Sequence, residues 1–384
     1  PVEYICYMEE FKWYMDNDNL ELSAGETSST DASGVKLDGA QFISTKEGQD
    51  SLSFFSTKAK YDLKHKRIYA DGVKFINVAD AMVYPDSGRV VLDKGADMNT
   101  LYNSKVIANY ITKNHNIYNA TINIFGQRKY SGRGYIDYID ELEKTQAIYL
   151  EKIAVDITGQ TFAIAEIKDT ANFTLSSNYE FYGGVKLFSS NKNLTFNGYS
   201  RIVHDCDLLA KNFFSFEQEI DPKEIYLPID SATKDVSGKP LTTSMFLSPD
   251  SIGIYTSFLN KKKQSNSIAM ISANGYLFYD KVKQEYQISN KDKLIERSFS
   301  GSYLSLNTKN CKIYGEGKID LGNNTGQLKM DIAGVIEHNQ LNDEAIFDLV
   351  MLTDFFFNEE ALKKMTKHLE EASELDPANL DRPT

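Results

Sequence analysis

The acids Asp137, Asp140 and Glu141, just after Ser131-Gly132-Arg133-Gly134, are the residues whose types and spacing best suit chemistry. Two carboxylates held several Å apart can cleave a glycosidic bond. Carboxylates also hold calcium, but no helix–loop spacing for that ion occurs here. The commoner role of such a cluster is a set of solvated acids at a strand end. The densest group of metal-ligating types is His204-Asp205-Cys206-Asp207. A metal there would need a neutral imidazole and a thiolate converging from one loop. Adjacent strand residues point to opposite faces, which argues against it.

Other chemistry is missing. There is no P-loop, HExxH, GxSxG or dinucleotide-binding glycine pattern, and the chain has only 5 histidines. Gly132-Arg133-Gly134 and Gly315-Glu316-Gly317 are too short to count. Cys6, Cys206 and Cys311 lie far apart without a CxxC pair, and an odd count cannot form a complete disulfide framework. The expectation is a non-enzymatic protein with no cofactor, no metal and no catalytic residue.

Charge narrows the partners. The net charge of −12 makes phosphate backbones and bare anionic membranes poor partners. No nucleic acid is therefore expected. The basic run Lys261-Lys262-Lys263 reads as a solvated turn. The longest apolar run, Ala345 to Phe357, is interrupted by Asp348 and Asp354 and is too short to span a bilayer. The start Pro1-Val2-Glu3 lacks an initiator methionine and the basic, then apolar, pattern of a signal peptide. The end, Asp381-Arg382-Pro383-Thr384, is polar. Both ends suggest a piece of a longer protein.

The elements that would position any site are strands. Aromatic residues make up 12 % of the chain, nearly all Tyr and Phe, a composition that favours strands. Runs such as Thr161–Ile167 and Lys318–Leu321 alternate with period two between Gly, Asn, Asp and Ser clusters. Ile139–Lys152 fits a short helix, yet the preceding Tyr135–Asp140 also fits a strand, and the choice stays open. The C-terminus is helical: Asn358 can cap it, Glu359 and Glu360 suit its positive end, and Leu362, Met365, Leu369 and Ala372 share one face. Asp376-Pro377 stops it. The division expected is 1–160 and 161–357 as two β-repeat regions, 358–376 as a helix, and 377–384 as a polar tail.

YDLKHKRIYADG (61–72) aligns without a gap on LNTKNCKIYGEG (306–317). With Tyr61 as position zero, Ala59 lies at −2, Ile68 at +7, Ala70 at +9 and Gly72 at +11. The same offsets hold Leu304, Leu306, Ile313, Gly315 and Gly317; Val185, Leu187, Leu194, Phe196 and Gly198; and Leu277, Tyr279, Tyr286, Ile288 and Asn290. Weaker copies start at Trp13 (with Leu20 and Leu22) and Tyr110 (with Ala108, Ile117 and Asn119). Positions −2 and 0 share one strand face and +7 and +9 share one face of the next. Gly or Asn at +11 tolerates positive φ where the chain bends. Each copy is thus a hairpin with one dry face, which must stack or pack to bury it.

This spacing resembles the repeat of the OstA-like family, periplasmic and outer-membrane modules of lipopolysaccharide transport. Ala59-Lys60-Tyr61-Asp62 through Gly72-Val73 is the best match, Leu277-Phe278-Tyr279-Asp280 has the same head, and Gly315-Glu316-Gly317-Lys318-Ile319 the same tail. The likeness covers the hairpins, about a third of the chain. The heads at 61, 110, 187, 279 and 306 are unevenly spaced, so insertions interrupt the array. With the terminal helix, the fold expected is mainly β with a C-terminal α-helix. The resemblance implies that the repeated antiparallel hairpins stack as an open β-jellyroll or solenoid-like array. It implies a dry groove for acyl chains, ends that join like modules, and a periplasmic or outer-membrane location. The residues that would line the groove are Ala59, Tyr61, Ile68, Ala70, Val185, Leu187, Leu194, Phe196, Leu277, Tyr279, Tyr286, Ile288, Leu304, Leu306 and Ile313. Four Asp-Ser/Thr-apolar triplets, at Asp50, Asp169, Asp230 and Asp250, look like O-glycosylation sites of periplasmic Bacteroidota proteins.

The leading expectation is a non-enzymatic cell-envelope β-module that holds lipid or docks another envelope module. Abundant Tyr and the acids around Asp137 motivate an alternative, a carbohydrate-binding or carbohydrate-cleaving β-protein. A structural spacer in a large secretion or adhesion protein is a third.

Overall fold

The computed structural model describes residues 3–24, 28–30, 36–250, 253–322, 328–355 and 358–371. Strands dominate, as period-two alternation requires, and all the registered pairings are antiparallel. The chain forms two compact units. The first comprises Pro1–Asp205, Ala210–Leu241 and Leu277–Tyr279; the second comprises Cys206–Leu209, Thr242–Tyr276 and Asp280–Thr384. The boundary expected at 160/161 falls inside one sheet, because Thr145–Val155 pairs with Thr161–Ile167. The Asp156–Gln160 link is a short turn, so no domain ends there.

In the first unit, two repeats lie side by side. Strands Glu10–Tyr14, Asn19–Ser23, Lys58–Asp62, Arg67–Asp71 and Val90–Leu92 form one sheet in that order. Position 0 faces +7 in both hairpins: Trp13 opposes Leu20, and Tyr61 opposes Ile68. The hairpins join through Leu20–Tyr61 and Leu22–Ala59. Two apolar rows therefore cross the sheet on one face. One is Phe11, Leu22, Ala59, Ala70, Val90; the other is Trp13, Leu20, Tyr61, Ile68, Leu92. Gly72 at +11 takes φ of +75°, and a Cβ there would strike the Thr57 hydroxyl.

A larger sheet follows, running from Ile76–Val78 to Phe214–Glu219 through Leu101–Ala108, His115–Gly126, Lys129–Ile139, Thr145–Val155, Thr161–Ile167, Tyr179–Phe188 and Thr195–Ile202. The undecided stretch 139–152 is thus two strands and their turn. This sheet curls into a half-barrel. Tyr138 and Phe196, whose strands are separated by three others, meet edge to face at 5.4 Å. Asp80 staples the curl by accepting the Thr161 amide (2.9 Å) and hydroxyl (2.6 Å) and the Ser189 hydroxyl. The copy at Val185 keeps the repeat register, with Val185 opposite Phe196. The copy at Tyr110 does not: Ala108 opposes His115, because the 109–114 turn uses a different register. Gly132 and Gly134 serve strand packing, since a Cβ on Gly132 would lie 2.6 Å from the Thr121 carbonyl oxygen.

In the second unit, Glu285–Ser289, Tyr303–Asn307, Lys312–Ile319, Leu328–Asn339 and Glu344–Phe355 pair in sequence. Leu306 opposes Ile313 and Leu304 opposes Gly315, again the repeat register. A three-stranded sheet made of Ile254–Asn260, Thr242–Leu247 and Ile268–Ser272 packs on this dry face. A Cβ on Gly315 would meet the Met245 sulfur at 3.1 Å and Ile271 at 3.3 Å, so glycine at +9 permits the close approach. Cys206 and Cys311 form a disulfide within this unit. Asn290, expected to adopt positive φ at +11, instead has φ of −62° and caps the helix Lys291–Ile295 by accepting the Lys293 amide. A helix start needs extended backbone there. The terminal helix spans Glu359–Glu371, with the Asn358 side chain accepting the Ala361 amide at 2.8 Å. Ala372 and the 377–384 tail lie outside the described residues.

Candidate functional site

The fifteen expected groove residues are divided between the units. Ala59, Tyr61, Ile68, Ala70, Val185, Leu187, Leu194, Phe196, Leu277 and Tyr279 belong to the first, and Tyr286, Ile288, Leu304, Leu306 and Ile313 to the second. All are buried except Tyr61 and Tyr279, which are half-buried. Phe196, for example, is enclosed by Tyr138, Phe173 and Phe181. Most of these positions are packed core, while Ala59 and Leu194 also border open depressions of the first unit. A hairpin's dry face is filled by whatever apolar surface the fold brings to it.

Each dry face nevertheless comes into the open at one edge. In the first unit the rows run from fully buried Val90 and Leu92 to Phe11 and Trp13, which are 71 % and 56 % exposed. Beside them lies a depression of about 830 Å³, lined by Glu10, Phe11, Leu22, Lys58, Ala59 and Asp71 among others. Strand Glu10–Tyr14 has no partner on its outer side among the described residues.

The second unit repeats this arrangement. The row Ile288, Leu304, Gly315, Ile336 is buried and ends at Phe347, 38 % exposed; Ile319 and Ile332 lead to Met351, 46 % exposed. Among the described residues, strand Glu344–Phe355 is the sheet edge. Its opposite face also exposes Ile346, Val350 and Leu352. Native edges are usually guarded by Lys, Pro, a bulge or a short length. This one is 12 residues long, pairs in unbroken register on its inner side, and has no Lys or Pro. Its charged residues, Glu344, Asp348 and Asp354, are all acidic.

The acids of the sequence reading separate. Asp140 is buried and its Oδ1 accepts the amides of Leu142 and Lys144, both at 2.9 Å. It holds the turn between two strands. Glu141 is half-buried in the same turn. Asp137 is exposed on the opposite face of its strand and accepts the Tyr118 hydroxyl at 2.6 Å. That hydrogen bond is the main reason the Tyr118 phenol is pushed up to about 12, so it stays protonated. Both line a cleft of about 420 Å³ in the first unit, with Asn116, Tyr138, Lys192 and Leu194 among its other walls.

His204 is buried and does not join a metal cluster. Burial pushes its imidazole below the usual value, and Cys206 is committed to Cys311. Among the described residues no group of His, Cys, Asp and Glu is arranged to hold a metal ion. No helix among them is long and apolar enough to cross a membrane. Ser51, Thr170 and Ser231 of the Asp-Ser/Thr triplets are exposed, and Ser251 lies outside the described residues.

The open edge is easily missed in the sequence, because the apolar run Ala345–Phe357 reads first as a candidate membrane span. Its signal is an apolar strand whose charged interruptions are all acids. No family model, curated protein or solved structure matches the chain.

Proposed function

We propose that this protein is a non-enzymatic β-module that docks another β-module by strand addition at Glu344–Phe355. The observation that carries it is the dry face running from buried Leu304 and Ile336 to exposed Phe347 and Met351 at an unguarded edge. An added strand would satisfy the outer backbone groups and extend the dry face. Its apolar residues would cover Phe347 and Met351, and its basic residues would meet Asp348 and Asp354. Two copies of a chain of net charge −12 repel, which favours a basic partner over self-pairing.

A cell-envelope setting, periplasmic or outer-membrane associated, suits this reading. The Cys206–Cys311 disulfide favours an oxidising compartment, and exposed Ser51, Thr170 and Ser231 and the hairpin likeness point the same way. A second reading, lipid binding, draws on one observation: exposed Phe11 and Trp13 beside the 830 Å³ depression.

A 12-residue peptide of alternating valine and lysine is the probe for docking. It is expected to bind, and Phe347→Lys with Met351→Lys to weaken it about tenfold or more. Equal binding to the double variant, or none to either protein, would refute docking at this edge. A wild-type dimer in sedimentation that dissociates in the double variant would identify the partner as a second copy. Phospholipid or lipopolysaccharide uptake that is lost in Trp13→Lys would favour the lipid reading.

A further inference from the structure

The outer face of the curled sheet carries a feature that docking at the 344–355 edge does not use. Tyr118, Tyr135 and Tyr149 lie in cross-strand register on three adjacent strands. Tyr118 stacks on Tyr135 with centroids 6.0 Å apart, and Tyr135 meets Tyr149 at 5.0 Å. Tyr135 and Tyr149 are each about two-fifths exposed, on the wet side of a sheet whose other face already holds a full aromatic core. The row begins at the 420 Å³ cleft, because Tyr118 lines it.

The cleft is lined by apolar and polar side chains together, the usual composition of a small-ligand site. Exposed Ile139 supplies apolar surface, and Asp137, Asn116, Lys192 and Asn193 supply donors and acceptors. The Tyr118 hydroxyl is tied to Asp137, which fixes ring and carboxylate together before any ligand arrives. Tyrosine rings offer rigid, amphipathic contact surface at little entropic cost. Flat apolar rings in a line, followed by a carboxylate, amides and an ammonium group, match a chain of sugar rings. The C–H faces of pyranose rings lie on aromatics, and their hydroxyls both donate and accept.

We infer that the Tyr118–Tyr135–Tyr149 row and the Asp137 cleft form a binding site for a linear oligosaccharide. The site binds without cleaving. Asp137 is the only carboxylate among the described residues lining the cleft, and Asp140 is held in its turn. Glycoside hydrolysis in its usual form uses two carboxylates flanking the bond.

Titration calorimetry of the full chain with maltohexaose, cellohexaose and the N-acetylglucosamine hexamer tests this. At least one is expected to bind at millimolar concentration or below, without release of reducing ends. Tyr135→Ala and Tyr149→Ala, at exposed positions, are each expected to weaken it about fivefold to tenfold. Asp137→Asn keeps the shape and removes the charged acceptor, and is expected to weaken it similarly. Phe347→Lys with Met351→Lys should leave sugar binding unchanged, which separates this site from the docking edge. No binding by any of the three sugars would overturn the inference. So would unchanged affinity in the tyrosine variants with melting temperatures near wild type, since the row would then only brace the sheet.

Discussion

Leu20 stands directly opposite Tyr61, at the seam where the hairpin starting at Trp13 meets the one starting at Tyr61. Equivalent repeat positions thus fall in one row, +7 of one copy beside 0 of the next. The row is what turns two local hairpins into a shared dry face, and its exposure gradient gives the face a closed end and an open one.

That gradient sets a difference in mutational cost. Ile68→Ala, in the buried part of the row, is expected to destabilise by about 2–4 kcal/mol through lost burial and a residual cavity. Trp13→Ala, at the open end, is expected to cost less than about 1 kcal/mol. Urea unfolding followed by tyrosine fluorescence and circular dichroism measures both. Equal costs would mean that the open end is covered in solution.

Glu316 provides a pH test. Burial alone would raise its carboxyl, but the Lys293 ammonium at 2.6 Å and the Arg297 guanidinium at 2.8 Å outweigh it, and its pKa lies below the usual value. A lowered folded pKa contributes stability that is full above the unfolded carboxyl value, about 4.3. That contribution is lost as pH falls through the lower folded value. Glu316→Gln leaves the buried Lys293 side chain without its counter-charge and is expected to cost about 3 kcal/mol at neutral pH. The gap between variant and wild type should narrow in unfolding curves taken below about pH 4. A gap independent of pH would refute the ionic account.

The Cys206–Cys311 bridge spans a sequence separation of 105 residues. Closing a loop of that length restricts the unfolded chain, and removing the bridge is expected to cost about 2–5 kcal/mol. Reduction, or Cys206→Ser with Cys311→Ser, should lower the denaturation midpoint, whereas Cys6→Ser should change it little. An unchanged midpoint after verified reduction would show that the bridge does not hold this unit together.

Hairpins were legible in the chain because their causes are local. Apolar positions at −2, 0, +7 and +9 with a polar turn between them specify which residues oppose each other. Trp13–Leu20, Tyr61–Ile68 and Leu306–Ile313 follow that rule. The same rule fails at Tyr110, where spacing was matched but the turn takes another register. It also fails at Asn290, where a following helix claims the residue as its cap. Both failures come from what the neighbouring segment does, which a twelve-residue pattern does not contain.

Composition and alternation alone determined that this is a β-protein of repeated hairpins with a capped C-terminal helix. Those features depend on side-chain periodicity and backbone preference over a few residues. Only the tertiary structure decided which dry faces are filled and which stay open. Ile313 and Phe347 are both apolar strand residues, yet one is fully buried and the other is exposed on the edge strand of the described residues. Likewise, Asp137 and Asp140 were equal candidates as sequence. A strand's alternation and a turn's amide groups made one an exposed acceptor for the Tyr118 hydroxyl and the other a structural cap. Burial and hydrogen-bond partners are set by contacts between distant segments, and function is assigned by them.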